Sequence, residues 1–156
     1  MIICCPLPQE GDALGPPFQR LLWVSILNAA DWLREHPQFP LLYSLPPKKP
    51  KYQAEPWAGQ GIEEFATPRD VLARNWGDCD DYVIWRGAEL VMRGYPCHAR
   101  ILRDDTNNHY HTQLTRDFDE LTEDPSLQRL GQPYVYVTND LSMRPMANPP
   151  YSTVKI

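Results

Sequence analysis

Residues 76–82 read Trp76-Gly77-Asp78-Cys79-Asp80-Asp81-Tyr82 and lie where a loop becomes an amphipathic helix. A cysteine on the first turn of a helix faces unpaired backbone N–H groups, which stabilise the negative charge of a thiolate. Further along the chain come His109-Tyr110-His111 and then Asp124-Pro125-Ser126. Acyl transfer by a thiol uses an imidazole to move the proton and a carboxylate to orient the imidazole. The order of these residues therefore predicts a thiol-based acyl-transfer site.

The segments around this stretch predict helices first and antiparallel strands afterwards. Apolar residues recur at helical spacing from Phe18 to about His36, and Pro37 ends that helix. Thr67 and Pro68 are typical of a helix start, and the helix that begins at Cys79 is expected to run to about residue 93. Residues 97–102, 109–115 and 134–137 read as strands. The predicted fold class is α+β.

The distribution of proline divides the chain into an arm, a domain and a long loop. Residues 1–17 are rich in Pro and Gly and are expected to form an extended arm. Residues 18–156 are expected to form a single domain. Within it, the Pro-rich segment 37–61 reads as a long irregular loop that either rims a substrate groove or wraps the surface.

Composition argues against several classes of partner. The chain has 156 residues, with 15 basic and 20 acidic side chains and a net charge of −5. Nucleic acids and anionic membranes are bound by clustered Lys and Arg, so neither partner is expected. The chain has no apolar run near the ~20 residues of a membrane span, and its first residues do not resemble a signal peptide. We therefore expect reduced cysteines and a cytoplasmic protein.

Residues 67–126 resemble the core of the transglutaminase-like superfamily of papain-fold cysteine enzymes. The resemblance rests on Gly77-Asp78-Cys79, on Gly94-Tyr95-Pro96 with Arg100, on the two histidines and on Asp124-Pro125-Ser126. The sequence around Cys79 is most similar to the compact bacterial and phage-encoded members. The resemblance implies a papain-like core, with N-terminal helices, a catalytic-type helix starting at Cys79 and an antiparallel sheet.

The resemblance also implies roles for individual residues. Cys79 is the expected nucleophile, Asp124 the orienting acid and His109 the favoured histidine, with His111 as the alternative. Both histidines project to the same side of a strand, because strand side chains alternate. Trp76 and Gly77 are expected to support the substrate or the oxyanion.

Several alternatives remain open at this point. If the segment between the two histidines and Asp124 loops out, Asp117 or Asp119 takes the place of Asp124 as the orienting acid. The acidic residues beside Cys79 suggest an exposed junction, and their charges disfavour a thiolate unless they point outward or an imidazolium faces the thiol. Cys79 could also be a buried structural thiol, as Cys97 is expected to be.

Metal binding is a weaker alternative. His109, His111 and Cys79 are a conceivable zinc set. Asp78, Asp80 and Asp81 are a conceivable calcium set, although the sequence does not continue as an EF-hand loop. We expect neither a metal nor another cofactor.

The expected function is hydrolysis of amide bonds in peptides or proteins, by a cysteine peptidase or amidase that forms a thioester. One alternative is a non-enzymatic structural or assembly protein, for example a component of a phage virion, with assembly partners bound through 1–17 and 37–61. A cell-wall amidase-peptidase is a third, because such enzymes also place Asp-Cys at a helix start.

Overall fold

The computed structural model describes residues 3–6, 15–56, 62–104, 109–130 and 144–145. These residues form mixed helices and strands, which confirms the α+β class. The predicted strand at 134–137 and residues 57–61 of the Pro-rich loop lie outside the described residues. The helices and strands are β1 (Ile3–Pro6), α1 (Gly15–Glu35), β2 (Lys51–Tyr52), β3 (Ile62–Phe65), α2 (Pro68–Arg74), β4 (Trp76–Gly77), α3 (Cys79–Met92), β5 (Cys97–Asp104), β6 (His109–Arg116), β7 (Thr122–Glu123), α4 (Pro125–Arg129) and β8 (Arg144–Pro145).

Helix α1 packs against helix α3 and forms the first part of the core. The apolar positions that predicted α1 are all buried: Phe18, Leu22, Ile26, Ala29 and Leu33. Ile26 lies against Gly87 of α3, where an added Cβ would come within 3.0 Å of Ile26 Cδ1. The absence of a side chain at this position therefore lets the two helices approach closely.

The largest sheet has four antiparallel strands in the order β7-β6-β5-β8. Alternate residues of β5 face the helices, and Cys97, Ala99 and Ile101 are buried in the same cluster as α1 and α3. The prediction of Cys97 as a core residue is confirmed. In the β5–β6 pairing, Leu102 is opposite His111.

The first residues of the chain differ partly from the predicted arm. β1 is extended but pairs antiparallel with β3, so that Ile3 is opposite Phe65. Helix α1 begins at Gly15, before the predicted start at Phe18. Proline is tolerated in a first turn because the N–H groups there have no partner within the helix, so Pro16 and Pro17 do not delay the start.

The described part of the Pro-rich segment is tied to the domain by buried hydrogen bonds. The Leu42 N–H donates to Glu89 of α3 at 2.5 Å, and the Tyr43 hydroxyl donates to Glu123 at 2.8 Å. Arg129 of α4 donates to the carbonyl oxygens of Lys49, at 2.9 Å, and of Leu42, at 3.3 Å. Residues 42–52 therefore have a fixed position beside α3, β7 and α4. No helix among the described residues is long and apolar enough to cross a membrane.

Candidate active site

The chain reaches Cys79 through two tight local structures. Helix α2 begins as predicted, with Thr67 Oγ1 accepting a hydrogen bond from the Asp70 N–H at 3.3 Å. It ends at Asn75, whose φ of 60° turns the chain into β4. A Cβ at Gly77 would come within 3.2 Å of atoms of Asp81 and Val71, so glycine is needed for this close approach. Helix α3 then begins at Cys79, as predicted.

Cys79, His111 and Asp124 form one hydrogen-bonded chain. His111 Nε2 lies 2.5 Å from Asp124 Oδ2. The side chain of His111 is also hydrogen-bonded to the side chain of Cys79. Cys79 is half-buried, whereas Asp124 is buried. The thiol is therefore the accessible end of the chain and the carboxylate its buried end, which suits a nucleophile and an orienting group.

The hairpin between β6 and β7 brings Asp124 to His111. β7 pairs antiparallel with β6, with Glu123 opposite Leu114, so the next residue along the chain returns toward His111. Asp124 Oδ1 accepts hydrogen bonds from the Ser126 N–H at 3.1 Å and the Ser126 hydroxyl at 2.5 Å. These bonds hold the carboxylate with its second oxygen directed at the imidazole.

The other two candidate acids are engaged elsewhere. Asp117 lies 2.6 Å from His98 Nδ1, and Asp119 forms an ion pair with Arg116. The segment between the histidines and Asp124 does not loop out: β6 continues to Arg116 and the chain turns back into β7. Asp124 is thus the acid that lies beside a histidine of β6.

Of the two histidines of β6, the structure brings His111 to Cys79 and Asp124. His111 is the residue that the sequence left as the alternative. The backbone of His109 lies opposite Asp104 in the β5–β6 pairing, and its side chain lies outside the described residues. The hydrogen-bonded chain therefore assigns the imidazole position to His111.

The surroundings of His111 favour its charged form. Burial by itself would lower the pKa of His111, but the hydrogen bonds to Asp124 and Cys79 and the negative charges of both groups raise it to about 10. The ring is therefore an imidazolium at neutral pH. A cation in this position stabilises a thiolate, which is the nucleophilic form of cysteine.

The acidic residues next to Cys79 are buried, not exposed as the sequence suggested. Asp78, Asp80 and Asp81 are all at most 7% exposed. Asp81 forms an ion pair with Arg74 and accepts hydrogen bonds from the N–H groups of Ala66, at 2.7 Å, and Asp78, at 3.3 Å. Burial outweighs the effect of Arg74 and raises the pKa of Asp81 to about 7, while its hydrogen bonds fix the turn that carries the thiol.

Trp76 and Gly77, the two predicted supports, form β4, which ends two residues before Cys79. The Arg74 guanidinium lies over the Trp76 ring, 3.6 Å from its centroid, and Arg74 Nε donates to the Trp76 carbonyl at 2.9 Å. The Gly77 carbonyl accepts from the Gln53 N–H at 2.9 Å. These contacts give both residues a packing role, and their part in binding an oxyanion stays a prediction.

A cluster of four carboxyl groups adjoins the thiol, since the Cys79 sulfur lies within 4.8 Å of a carboxyl oxygen of both Asp78 and Asp80. One oxygen from each of Glu55, Glu63, Asp78 and Asp80 lies within 4.8 Å of all the others. Burial and the neighbouring acidic groups raise the pKa of Glu63 to about 9 and hold the pKa of Asp78 and of Asp80 well above the usual range. Without a cation, the raised pKa values favour the protonated forms of Asp78 and Asp80, which reduces their repulsion of a thiolate at Cys79.

Three buried oxygen atoms of this cluster have no hydrogen-bond partner: Glu55 Oε1, Asp78 Oδ1 and Asp80 Oδ2. A separation of 4.8 Å or less between carboxylate oxygens fits a single Ca²⁺ ion, since Ca–O distances are about 2.4 Å. The cluster differs from the predicted calcium set, because Asp81 is paired with Arg74 and two glutamates take part. Glu55 and Glu63 were missed, and the sequence offered no spacing signal for them.

No family model, curated protein or solved structure matches this chain. The assignment of the site therefore rests on its geometry and on the resemblance of its motifs.

Proposed function

We propose that this protein is a thiol-dependent amide-bond hydrolase, a cysteine peptidase or amidase with a papain-like core. The observation that supports the proposal is the hydrogen-bonded chain from Cys79 through His111 to Asp124. The Cys79 thiol is accessible and begins a helix of 14 residues, so its own N–H is available to a developing oxyanion. The proposed reaction requires no cofactor.

The reaction follows from the positions of the three side chains. The Cys79 thiolate attacks the amide carbonyl carbon, and a C–S bond forms as the carbonyl oxygen becomes an oxyanion. When the intermediate collapses, the C–N bond breaks and His111 gives its proton to the departing amine. Water then attacks the thioester, His111 takes a proton from that water, and the C–S bond breaks to release the acid. Asp124 keeps the ring oriented throughout and remains ionised.

Hydrolysis is preferred to cross-linking on the resemblance to compact bacterial and phage-encoded members of the superfamily. The substrate is a peptide or protein amide. A cell-wall amidase-peptidase remains an alternative, and hydrolysis of purified peptidoglycan would favour it. A location in the cytoplasm, or in a virion if a phage encodes the chain, is part of the proposal.

The reactivity of Cys79 tests the proposed mechanism most directly. An ordinary thiol, with a pKa of ~8.5, is less than about 1% ionised at pH 6, so iodoacetamide alkylates it slowly. We expect Cys79 to be alkylated at pH 6 about 10-fold or more faster in the wild type than in His111→Ala, measured by mass spectrometry of the Cys79 peptide. His109→Ala is the matched control on the same strand and should keep the fast reaction.

Two results would favour the structural-protein alternative over the enzyme. One is a rate of Cys79 alkylation by iodoacetamide at pH 6 that is no faster in the wild type than in His111→Ala. The other is a rate of p-nitrophenyl acetate hydrolysis that is the same in the wild type and in Cys79→Ala. Loss of hydrolysis in Cys79→Ala with an unchanged circular dichroism spectrum is the expected outcome.

A second candidate function, binding of a divalent cation, is favoured by the carboxyl cluster. Buried carboxyl oxygens without partners are costly, and a cation would satisfy all of them at once. Hard carboxylate oxygens suit Ca²⁺ or Mg²⁺ better than a soft metal, and the spacing suits the larger ion. The ion would connect Glu55 and Glu63 to the turn that carries Cys79.

A further inference from the structure

Tyr52 has a fixed position between the two ends of the hydrogen-bonded chain. β2 pairs with β4 in parallel, with Tyr52 opposite Gly77, two residues before Cys79. β2 also contacts α4, which begins directly after Asp124. The backbone at Tyr52 is therefore bounded on one side by the segment leading to the nucleophile and on the other by the helix that follows the orienting acid.

Hydrogen bonds on both sides of Tyr52 hold it there. The Lys51 N–H donates to the Asn75 carbonyl at 3.0 Å, and the Gln53 N–H donates to the Gly77 carbonyl at 2.9 Å. The Tyr82 hydroxyl, on the first turn of α3, donates to the Lys51 carbonyl at 2.7 Å. The Tyr52 side chain is half-buried against the cluster that contains Val71 and Tyr82. These contacts fix the backbone on both sides of Tyr52 and leave its side chain partly exposed.

The electrostatic surroundings of the phenol agree with this placement. Burial, followed by the negative charges of Cys79, Asp78 and Asp124, raises the pKa of Tyr52 above its usual range. The phenol therefore keeps its proton at all pH values near neutrality. It is a neutral hydrogen-bond donor on which the charge of Cys79 acts.

Acyl transfer at Cys79 needs such a donor. Attack by the thiolate places a full negative charge on the former carbonyl oxygen, and hydrogen-bond donors fixed in advance around that oxygen lower the barrier. The N–H of Cys79 can supply one donor. The predicted support Trp76 has its ring covered by Arg74, whereas Tyr52 lies opposite Gly77 in the β2–β4 pairing and its phenol is subject to the charges of Cys79 and Asp124.

We propose that the Tyr52 hydroxyl donates a hydrogen bond to the oxyanion formed when Cys79 attacks its substrate. This inference rests on the proposed acyl-transfer function and assigns a catalytic residue to it. The hydroxyl keeps its proton throughout, and His111 remains the group that delivers a proton to the leaving group.

Two reactions of Cys79 separate this role from a structural one. Acylation by p-nitrophenyl acetate passes through a tetrahedral oxyanion, whereas alkylation by iodoacetamide is a direct displacement without one. Removing one oxyanion donor typically costs about 100-fold or more in rate. We expect Tyr52→Phe to slow the acylation of Cys79 about 100-fold, measured as p-nitrophenolate released in a single turnover. We expect the alkylation rate to change by less than about twofold.

The other outcomes are distinguishable. Equal acylation rates in Tyr52→Phe and the wild type would overturn the role of Tyr52, as would a parallel loss of acylation and alkylation, which means a disturbed thiol or fold. If the wild type does not form an acyl-enzyme at Cys79, the proposed function itself fails and this inference fails with it. Tyr95→Phe, at an exposed tyrosine beside Phe118, is the matched control and should leave both rates unchanged.

Discussion

Glu123 and Glu63 have side chains of the same type in opposite electrostatic surroundings. Glu123 is buried and accepts hydrogen bonds from Arg86 at 2.8 and 3.2 Å, from Tyr43 at 2.8 Å and from Arg116 at 3.1 Å. Burial would raise the pKa of Glu123, but the hydrogen bonds and charge of Arg86 hold it below its usual range. Glu63 lies among other carboxyl groups, and burial with the charges of Glu55 and Asp78 raises its pKa to about 9.

The difference shows that burial alone does not decide the charge of an acidic group. In the region around Glu123, the carboxylate is paired with Arg86 and Arg116. These contacts hold the strand that leads directly to Asp124. The carboxyl cluster around Glu63 carries unsatisfied oxygens and is completed only by protons or by a cation. Cys79 adjoins Asp78 and Asp80 of the carboxyl cluster and is connected through His111 to Asp124, the residue that follows Glu123.

The largest expected effect comes from replacing one glutamate of each region by glutamine. Glu123→Gln leaves Arg86 buried without its main partner, and we expect it to lower the free energy of unfolding by about 3 kcal/mol. Glu63→Gln removes a carboxyl group from like neighbours and should change that free energy by less than about 1 kcal/mol. Urea unfolding in buffer with EDTA measures both.

Asp119→Asn is the control for the pair of glutamates. Asp119 also bonds Arg116 but its side chain is 31% exposed, so we expect a loss within about 0.5 kcal/mol. An equal loss of stability in Glu123→Gln and Glu63→Gln would mean that the two glutamates do not differ in their electrostatic contribution to folding.

Calcium should add stability through the carboxyl cluster alone. A ligand that binds only the folded state at 100 times its Kd raises the free energy of unfolding by about 2.7 kcal/mol. We expect CaCl₂ to produce a gain of this size in the wild type and none in Asp80→Asn, measured by urea unfolding with CaCl₂ and with EDTA. Isothermal titration with CaCl₂ should show one site per chain.

Glu64→Gln provides the comparison for the calcium experiment. Glu64 is a neighbour of Glu63 in β3 but pairs with Arg74, so its loss should lower stability while leaving the gain from calcium intact. Cation binding by the cluster would be refuted by an unchanged stability of the wild type, or by an equal gain in Asp80→Asn.

The smallest expected effect is a pH dependence that arises from His111. Its folded pKa of about 10 exceeds the usual value of 6.5, so its contribution to stability is complete below pH 6.5 and is lost as the pH rises toward 10. To remove the titration of the thiol, the measurement uses Cys79→Ser, in which Asp124 still holds the ring. Because the contributions of Cys79 to the raised pKa are absent from this variant, we expect a loss of stability of up to about 1 kcal/mol between pH 6.5 and 7.5.

The double variant Cys79→Ser with His111→Gln should not show this slope over the same pH range. A slope that persists in the double variant would mean that another group titrates and that the histidine is not held as an imidazolium.

Local features of the fold could be predicted because their causes lie within a few residues. The apolar spacing of α1, the cap at Thr67 and the start of α3 at Cys79 each depend on neighbouring side chains and were read correctly. The choice between His109 and His111 could not be read, because both lie on the same face of β6. The pairing of β6 with β7 selects His111, and that pairing depends on where the chain turns between Arg116 and Thr122.

The carboxyl cluster could not be predicted from the sequence either, because its members come from distant parts of the chain. Asp78 and Asp80 resembled exposed acids because nothing near them in the chain buries them. Glu55 and Glu63 reach them only after β2 pairs with β4 and β3 leads into α2. Contacts between residues far apart in the chain form only when the core packs. The spacing of residues along the chain therefore does not predict them.

By itself, the sequence determined the helix that begins at Cys79, the α+β class and the set of groups from which a thiol site can be built. Those properties follow from side-chain periodicity, capping and chemical type, which act over short distances. The tertiary structure alone decided that His111 bonds the thiol, that the strand carrying Tyr52 contacts both β4 and α4, and that four carboxyl groups meet beside Cys79. These are properties of burial and of charge at close range, and both exist only once distant segments are packed together.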